Sequence, residues 1–137
     1  MSAQVENLAD FDWVSERAKC TPFKIFELLR TQAQSDMQKW NLLTAETAIK
    51  KTFTLESYGT WFAVVYKVGE MSKGAMFSIT GNGVNVQDVE SRTLLHEGIL
   101  TISNDGHCRL RVGQTECSLW QFRKLALQDL FFVNREV

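Results

Sequence analysis

Residues 77–86, Phe-Ser-Ile-Thr-Gly-Asn-Gly-Val-Asn-Val, contain two short alternating segments joined by a glycine-rich turn. If positions 81 and 82 form a two-residue loop, Ile79 lies opposite Val84. The next pair on the same face is then Phe77 and Val86, so apolar side chains meet apolar side chains. Because a shift of one residue would pair them with polar neighbours, the stretch predicts an antiparallel hairpin with a short primed turn.

A second hairpin is predicted around residues 104–106, Asn-Asp-Gly. A two-residue loop there would set Ile102 against Arg109. A three-residue loop, with Gly106 in the left-handed conformation, sets Ile102 against Cys108 and keeps the apolar pairing. The sequence therefore favours the three-residue loop with its bulge.

Further alternating segments flank these hairpins, separated by turns rich in glycine, asparagine and serine. The predicted strands are residues 51–55, 61–68, 75–80, 84–89, 94–103 and 107–112. One continuous apolar face is expected to contain Phe77, Ile79, Val84, Val86, Leu100, Ile102, Cys108, Leu110 and Val112. Segment 61–68 is apolar on both sides apart from Lys67, which indicates a central strand covered on both faces.

Two helices are predicted before the strands. The first, near residues 8–19, can be capped by Asp10 or Asp12, and its apolar side would be formed by Phe11, Trp13 and Val14. The second has Thr21 as N-cap and Pro22 at its first position, where a missing N–H has no cost. Apolar residues then recur at spacings of three and four up to residue 40, as on one face of an amphipathic helix. They are Phe23, Phe26, Leu29, Ala33, Met37 and Trp40.

A C-terminal helix is predicted over residues 118–132. Ser118 and Gln121 have the spacing of a capping box. Apolar side chains follow around most of the circumference, and only Gln121, Lys124 and Gln128 form a polar stripe. Such a helix either lies deep between the sheet and the other helices, or part of it meets a second molecule.

The chain as a whole predicts a single α+β domain over residues 1–137. Its parts are two N-terminal helices (about 8–40), an antiparallel meander of about six strands (about 49–117) and a C-terminal helix (about 118–132) packed on the sheet. With 137 residues, of which 45% are hydrophobic, the core needs no disulfide or metal for stability.

Charge and cysteine content limit the expected binding partners and cellular compartment. The net charge of −1 is spread along the chain, so neither nucleic acid nor a membrane surface is an expected partner. The first residues lack the basic and apolar regions of a secretory signal. Cys20, Cys108 and Cys117 are odd in number and lack a CxxC spacing, which favours reduced thiols in a cytoplasmic protein.

Residues that could perform chemistry are few. His96 alternates with the apolar residues of its strand and is expected to point to the covered face, either as a core histidine with a backbone partner or as a ligand contact. His107 and Cys108 are adjacent and point to opposite faces, so they cannot bind one metal ion without a bulge. No catalytic residue, metal site or cofactor is predicted.

Three functions remain open from the sequence. The first is a non-enzymatic module that binds an apolar or amphipathic small molecule between sheet and helices, with His96, Trp40, Trp120 and Phe131 as candidate contacts. The alternative is an interaction or adaptor domain, self-associating or binding another protein through the apolar C-terminal helix. An enzyme using His96 is the third.

Overall fold

The computed structural model describes residues 10–46 and 51–132. Within these ranges, the helices are α1 (Trp13–Lys19), α2 (Pro22–Leu43) and α3 (Leu119–Phe132). The strands are β1 (Thr54–Ser57), β2 (Trp61–Val68), β3 (Met71–Ile79), β4 (Gly83–Asp88), β5 (Leu94–Ile102), β6 (Cys108–Val112) and β7 (Thr115–Cys117). The predicted α+β class, with helices at both ends of an antiparallel meander, is confirmed.

The strands form one open sheet in sequence order, and every neighbouring pair is antiparallel. In the first predicted hairpin, Ile79 pairs with Val84 and Phe77 with Val86, as expected. The predicted primed turn is wrong, because neither loop residue has a positive φ. Instead, the Asn82 carbonyl accepts a 2.9 Å hydrogen bond from the Leu100 N–H, so the loop already takes part in pairing with β5.

The second hairpin has the predicted three-residue loop. Ile102 pairs with Cys108, and Gly106 has a φ of 89°. The Ser103 N–H donates to the His107 carbonyl at 2.9 Å and closes the loop. The structure therefore confirms the register that the apolar pattern predicted.

The two edge strands differ from the prediction. β7 was not predicted, and its three residues pair with β6 after the turn at Gly113. β1 begins at Thr54 rather than at residue 51. The Asn41 side chain on α2 explains this later start, because its amide donates to the Phe53 carbonyl at 2.9 Å and accepts from the Phe53 N–H at 3.0 Å. The Asn41 side-chain amide thus takes the place of a neighbouring strand at Phe53. Residues 49 and 50 of the predicted strand region lie outside the described residues.

The helix start signals are largely confirmed. Asp12 accepts a hydrogen bond from the Ser15 N–H and caps α1, and Thr21 accepts one from the Lys24 N–H and caps α2. The start predicted near residue 8 lies outside the described residues. The apolar side predicted for α1 is wrong, since the helix has no buried residue and Trp13 is 64% exposed.

The core lies between one face of the sheet and the helices α2 and α3. Its largest fully buried side chains are Phe26, Phe53, Phe62, Phe77 and Phe122. Five of the six predicted α2 residues are buried, but Phe23 is 59% exposed. Ile25 is buried in its place, because two residues two positions apart point about 200° apart on a helix and cannot face the same sheet.

The opposite face of the sheet carries a smaller buried cluster of Ala63, Val65 and Met76. β2 is therefore buried on both sides, as the sequence predicted, although it is the second strand from an edge and not a central one. In the described part of the chain, no helix is long and apolar enough to span a bilayer.

The attachment of α1 to the sheet is mostly covalent and polar. Cys20 and Cys108 form a disulfide, so the prediction of reduced thiols is wrong for these two residues. The Glu16 carboxylate accepts a 2.8 Å hydrogen bond from the Cys108 N–H. The Phe11 ring packs on the His107 ring at a centroid distance of 4.5 Å. Sequence alone could not reveal the disulfide, because the two cysteines are 88 residues apart and only the folded meander brings them together.

Candidate functional site

The capping box predicted for the C-terminal helix sets the orientation of α3. The Ser118 N–H donates to the Gln121 side-chain oxygen at 2.8 Å, and the Gln121 N–H donates to the Ser118 hydroxyl at 3.4 Å. From this start, Phe122, Ala126, Leu127 and Phe131 face the core. Because these residues recur at spacings of four, one and four, they occupy only one side of the helix.

The outer side of α3 carries exposed apolar side chains among its polar ones. Trp120 is 58% exposed and Phe132 is 72% exposed, with Leu125 between them along the helix. The sequence left open whether such residues are buried within the chain or meet a second molecule. The structure places part of this helix on the surface, which is where a partner could contact it.

An open groove of about 620 Å³ lies between α2 and α3. We call it the α2–α3 groove; its lining is Asp36, Lys39, Trp40, Leu43, Trp120, Arg123, Lys124, Leu127, Gln128, Phe131 and Phe132. Most of its accessible lining is apolar, so its contribution to binding would come mainly from removal of apolar surface from water. The volume lies within the range of small-molecule sites.

An ion pair joins the two walls at one end of the groove. The Arg123 Nε atom lies 2.6 Å from Asp36 Oδ2, and Arg123 Nη1 donates to Gln32 Oε1 at 2.7 Å. Arg123 is largely covered and its charge is compensated by Asp36. This cluster fixes the spacing of α2 and α3 where the groove begins.

Aromatic rings form the other end. Trp40 stacks on Phe131 at a centroid distance of 5.4 Å and meets Phe132 edge-on at 5.0 Å. The Trp40 indole N–H donates to the Lys51 carbonyl at 3.3 Å, so its polar atom is satisfied below the groove. Trp40 and Phe131 are mostly buried and form a fixed floor, while Phe132 stands at the rim.

The rim of the groove is basic. Lys39 stands on α2 and Lys124 on α3, and both are exposed. Among residues 10–46 and 51–132, neither lysine forms an ion pair. Three cationic side chains and one carboxylate therefore line the groove, although the chain as a whole has a net charge of −1.

A second groove, of about 640 Å³, lies on the other flank of α3 and contains His96. His96 lies on the covered face, as predicted; it pairs with Val86 and is half-buried. In the described part of the chain, no hydrogen bond reaches its ring. Asp129 lines the same groove but forms no ion pair with His96 there, so the acidic partner that an acid–base histidine needs is missing among the described residues.

The predicted contact residues are thus divided between two places. Trp40, Trp120 and Phe131 line the α2–α3 groove, whereas His96 lines the second groove, which Trp120 also borders. The sequence analysis did not single out the two lysines of the groove lining, although the polar stripe that contains Lys124 was visible. It also placed the site between sheet and helices, whereas the α2–α3 groove lies on the outer side of the helical layer.

The remaining thiol belongs to Cys117 on β7. It is buried, and burial raises the pKa of this thiol, which keeps it protonated and unreactive at neutral pH. Within the described ranges, no group of three or more histidine, cysteine, aspartate or glutamate side chains is arranged to hold a metal ion. The Cys117 side chain therefore contributes to core packing.

Comparison of the chain with models of known protein families, with curated proteins and with solved structures finds no match in any of the three. Function is therefore inferred from the geometry of the grooves alone. Of the two, the α2–α3 groove combines a fixed aromatic floor, exposed apolar walls and two lysines that form no ion pair with other described residues.

Proposed function

We propose that this protein is an interaction domain that binds an α-helical segment of a partner protein in the α2–α3 groove. The observation that carries the proposal is a pair of aromatic side chains on α3, Trp120 and Phe132, which remain more than half exposed beside a fixed floor. Exposed aromatic residues around a buried aromatic floor are typical of peptide-binding grooves and interface anchors.

The open shape of the α2–α3 groove favours a helix over a small molecule as its occupant. Small-molecule sites cover about 70–90% of their ligand, which requires walls on nearly all sides. Here Trp120, Leu43 and Phe132 line the groove and all remain mostly exposed. A partner helix would cover these side chains together, because it offers apolar side chains along one continuous stripe.

The length of the groove suits the same occupant. Trp120 and Phe132 lie at opposite ends of α3, and twelve residues rise about 18 Å along a helix. That distance corresponds to about three turns of a partner helix, enough for apolar anchors at i, i+3 or i+4, and i+7. The fixed floor of Trp40 and Phe131 limits the entropy lost on binding.

Selection from a displayed library of helical peptides tests the proposal. We expect the wild-type protein to enrich peptides with apolar residues at helical spacing, and Trp120→Ala to lose their binding. Trp13→Ala is the matched control, since Trp13 is also exposed but lies on α1, outside the groove. Failure to enrich any peptide that depends on Trp120 would contradict the proposed function.

A small amphipathic ligand is the second candidate, as the sequence first suggested. The groove volume of about 620 Å³ supports it, although the space between sheet and helices is occupied by phenylalanine rings. Native mass spectrometry separates the two candidates, because a resident small molecule would be retained as extra mass.

The Cys20–Cys108 bond changes the proposed location. The expectation of a cytoplasmic protein depended on reduced cysteines and on first residues that lack a secretory-signal pattern. Stable disulfides persist mainly in oxidising compartments, and we therefore propose such a compartment for this protein. Protein isolated without reductant should be two hydrogen atoms lighter than its reduced form. An unchanged mass after reduction would show that the disulfide is absent and would remove the basis for the proposed compartment.

A further inference from the structure

We infer that the partner helix is acidic and belongs to another protein rather than to a second copy of this chain. This inference deepens the proposed function and rests on it. It comes from the charges of the groove rather than from its apolar floor. The juxtaposition that carries it is one lysine on each wall, Lys39 on α2 and Lys124 on α3, neither of which forms an ion pair with another described residue.

The remaining charges of the groove do not cancel these lysines. Among the described residues of the lining, Asp36 is the only acidic one, and both of its oxygens face Arg123, at 2.6 and 3.4 Å. The charges of Arg123 and Asp36 therefore cancel each other. Gln128, the next polar residue of the outer stripe, is neutral. An incoming helix would meet a positive rim on both sides of an apolar floor.

Self-association through this groove is disfavoured by the same charges. In a twofold-symmetric dimer the same surface of both copies would come together, so lysine rims would face lysine rims. Like charges brought together at an interface oppose association. A partner helix with glutamate or aspartate on both flanks of its apolar stripe would instead place a carboxylate near each lysine.

Charge and apolar contact would have separate effects on binding. Exposed ion pairs are weak because water and salt screen them, so each lysine is expected to change affinity only a few-fold. Their main effects are the choice of partner and the rate of association. Affinity would come from covering Trp120, Phe131 and Phe132.

The test uses two synthetic helical peptides with identical apolar positions, one flanked by glutamates and the other by lysines. Each is titrated into the full-length protein by calorimetry at low salt. We expect the acidic peptide to bind about tenfold more tightly. The preference should shrink with added sodium chloride, because the lysines are exposed. Lys39→Glu combined with Lys124→Glu should reverse it.

A second double variant controls for net charge. Lys24→Glu with Lys67→Glu changes the total charge equally, but Lys24 is in the first turn of α2 and Lys67 is on β2, both outside the groove lining. This variant should keep the wild-type preference. Reversal of the preference in both double variants would overturn the inference, since net charge would then be the cause.

Other outcomes separate this inference from the proposed function. Equal binding of both peptides, lost in Trp120→Ala, would overturn the acidic partner and leave the helix-binding groove standing. Binding of neither peptide, with none selected from a library, would overturn both. A dimer in light scattering that Trp120→Ala dissociates would show that a second copy occupies the groove, which also overturns the inference.

Discussion

Gly83, the first residue of β4, lies close against the backbone of β5. A Cβ atom at this position would lie 1.8 Å from the Gly98 carbonyl oxygen, which belongs to the backbone and cannot turn aside. We expect Gly83→Ala to lower the free energy of unfolding by at least about 2 kcal/mol, because the strands must separate to accept one methyl group.

Gly81→Ala is the control for this prediction. Gly81 belongs to the same turn, but a Cβ atom there meets nothing within 4 Å. Its effect should stay under about 1 kcal/mol, as for most surface substitutions. Urea denaturation of both variants provides the measurement. Equal losses would show that the turn, and not the contact with Gly98, determines stability.

The burial of single residues could be predicted from the sequence where one face of a helix packs on the sheet. Phe26 and Leu29 follow the helical spacing and are fully buried. Trp13 and Phe23 have the same apolar character but remain exposed, since α1 has no buried face and Ile25 takes the sheet-facing position at the start of α2. Periodicity shows that a face exists, but it does not show where the face ends.

At the scale of elements, turn chemistry carried most of the prediction. The two hairpin registers followed from loop length and apolar pairing, and the α3 capping box followed from Ser118 and Gln121. β7 has three residues and is too short for an alternating pattern to appear. The late start of β1 depends on Asn41, a residue on another element, and no local pattern contains that information.

The contacts of α1 predict how it behaves when the disulfide is reduced. Because α1 buries no residue, the Cys20–Cys108 bond and Glu16 are its principal attachments. We expect a dithiol reductant, or Cys20→Ser with Cys108→Ser, to increase hydrogen exchange of residues 13–19. The strands should keep their protection, since the phenylalanine core does not involve α1.

Glu16→Gln is the second variant for this measurement. Burial raises the pKa of Glu16, but the hydrogen bonds from the Cys108 N–H and from Lys19 lower it more, so the carboxylate stays charged at neutral pH. The variant should weaken the attachment without breaking the disulfide. Because the folded pKa is depressed, this contribution is present above the usual pKa and is lost as pH falls through the lowered value. Loss of protection throughout the sheet on reduction would contradict a local attachment.

For the whole molecule, composition and element order predicted the α+β meander but not the α2–α3 groove. The groove depends on Asp36 meeting Arg123 and on Trp40 meeting Phe131, residues about 90 positions apart in sequence. Periodicity describes each helix separately, whereas a groove depends on how two helices lie together. Trp40, Trp120 and Phe131 were identified as candidates from their positions near element ends, which is a weaker signal than their geometry.

Native mass spectrometry of untreated protein measures the number of subunits and any retained ligand. We expect a monomer without retained small molecule, because the lysine rims of two copies oppose each other and the core is filled with aromatic rings. The unrelated variant Gly81→Ala should also be a monomer whose mass equals that of its chain alone. Extra mass on a monomer would favour the small-ligand candidate, and a dimer would favour self-association.

The hydrogen bond between Glu16 and Cys108 has a consequence for how this protein behaves at high concentration. Ser103 and His107 form the hydrogen-bonded pair beside it, so the Cys108 N–H points away from β5. β7 pairs with β6 only as far as Leu110, which would leave this donor bare if α1 were absent. Bare strand edges recruit strands from other molecules and begin aggregates. α1 is therefore a protective cover, and reduced protein should form light-scattering assemblies sooner than the oxidised form.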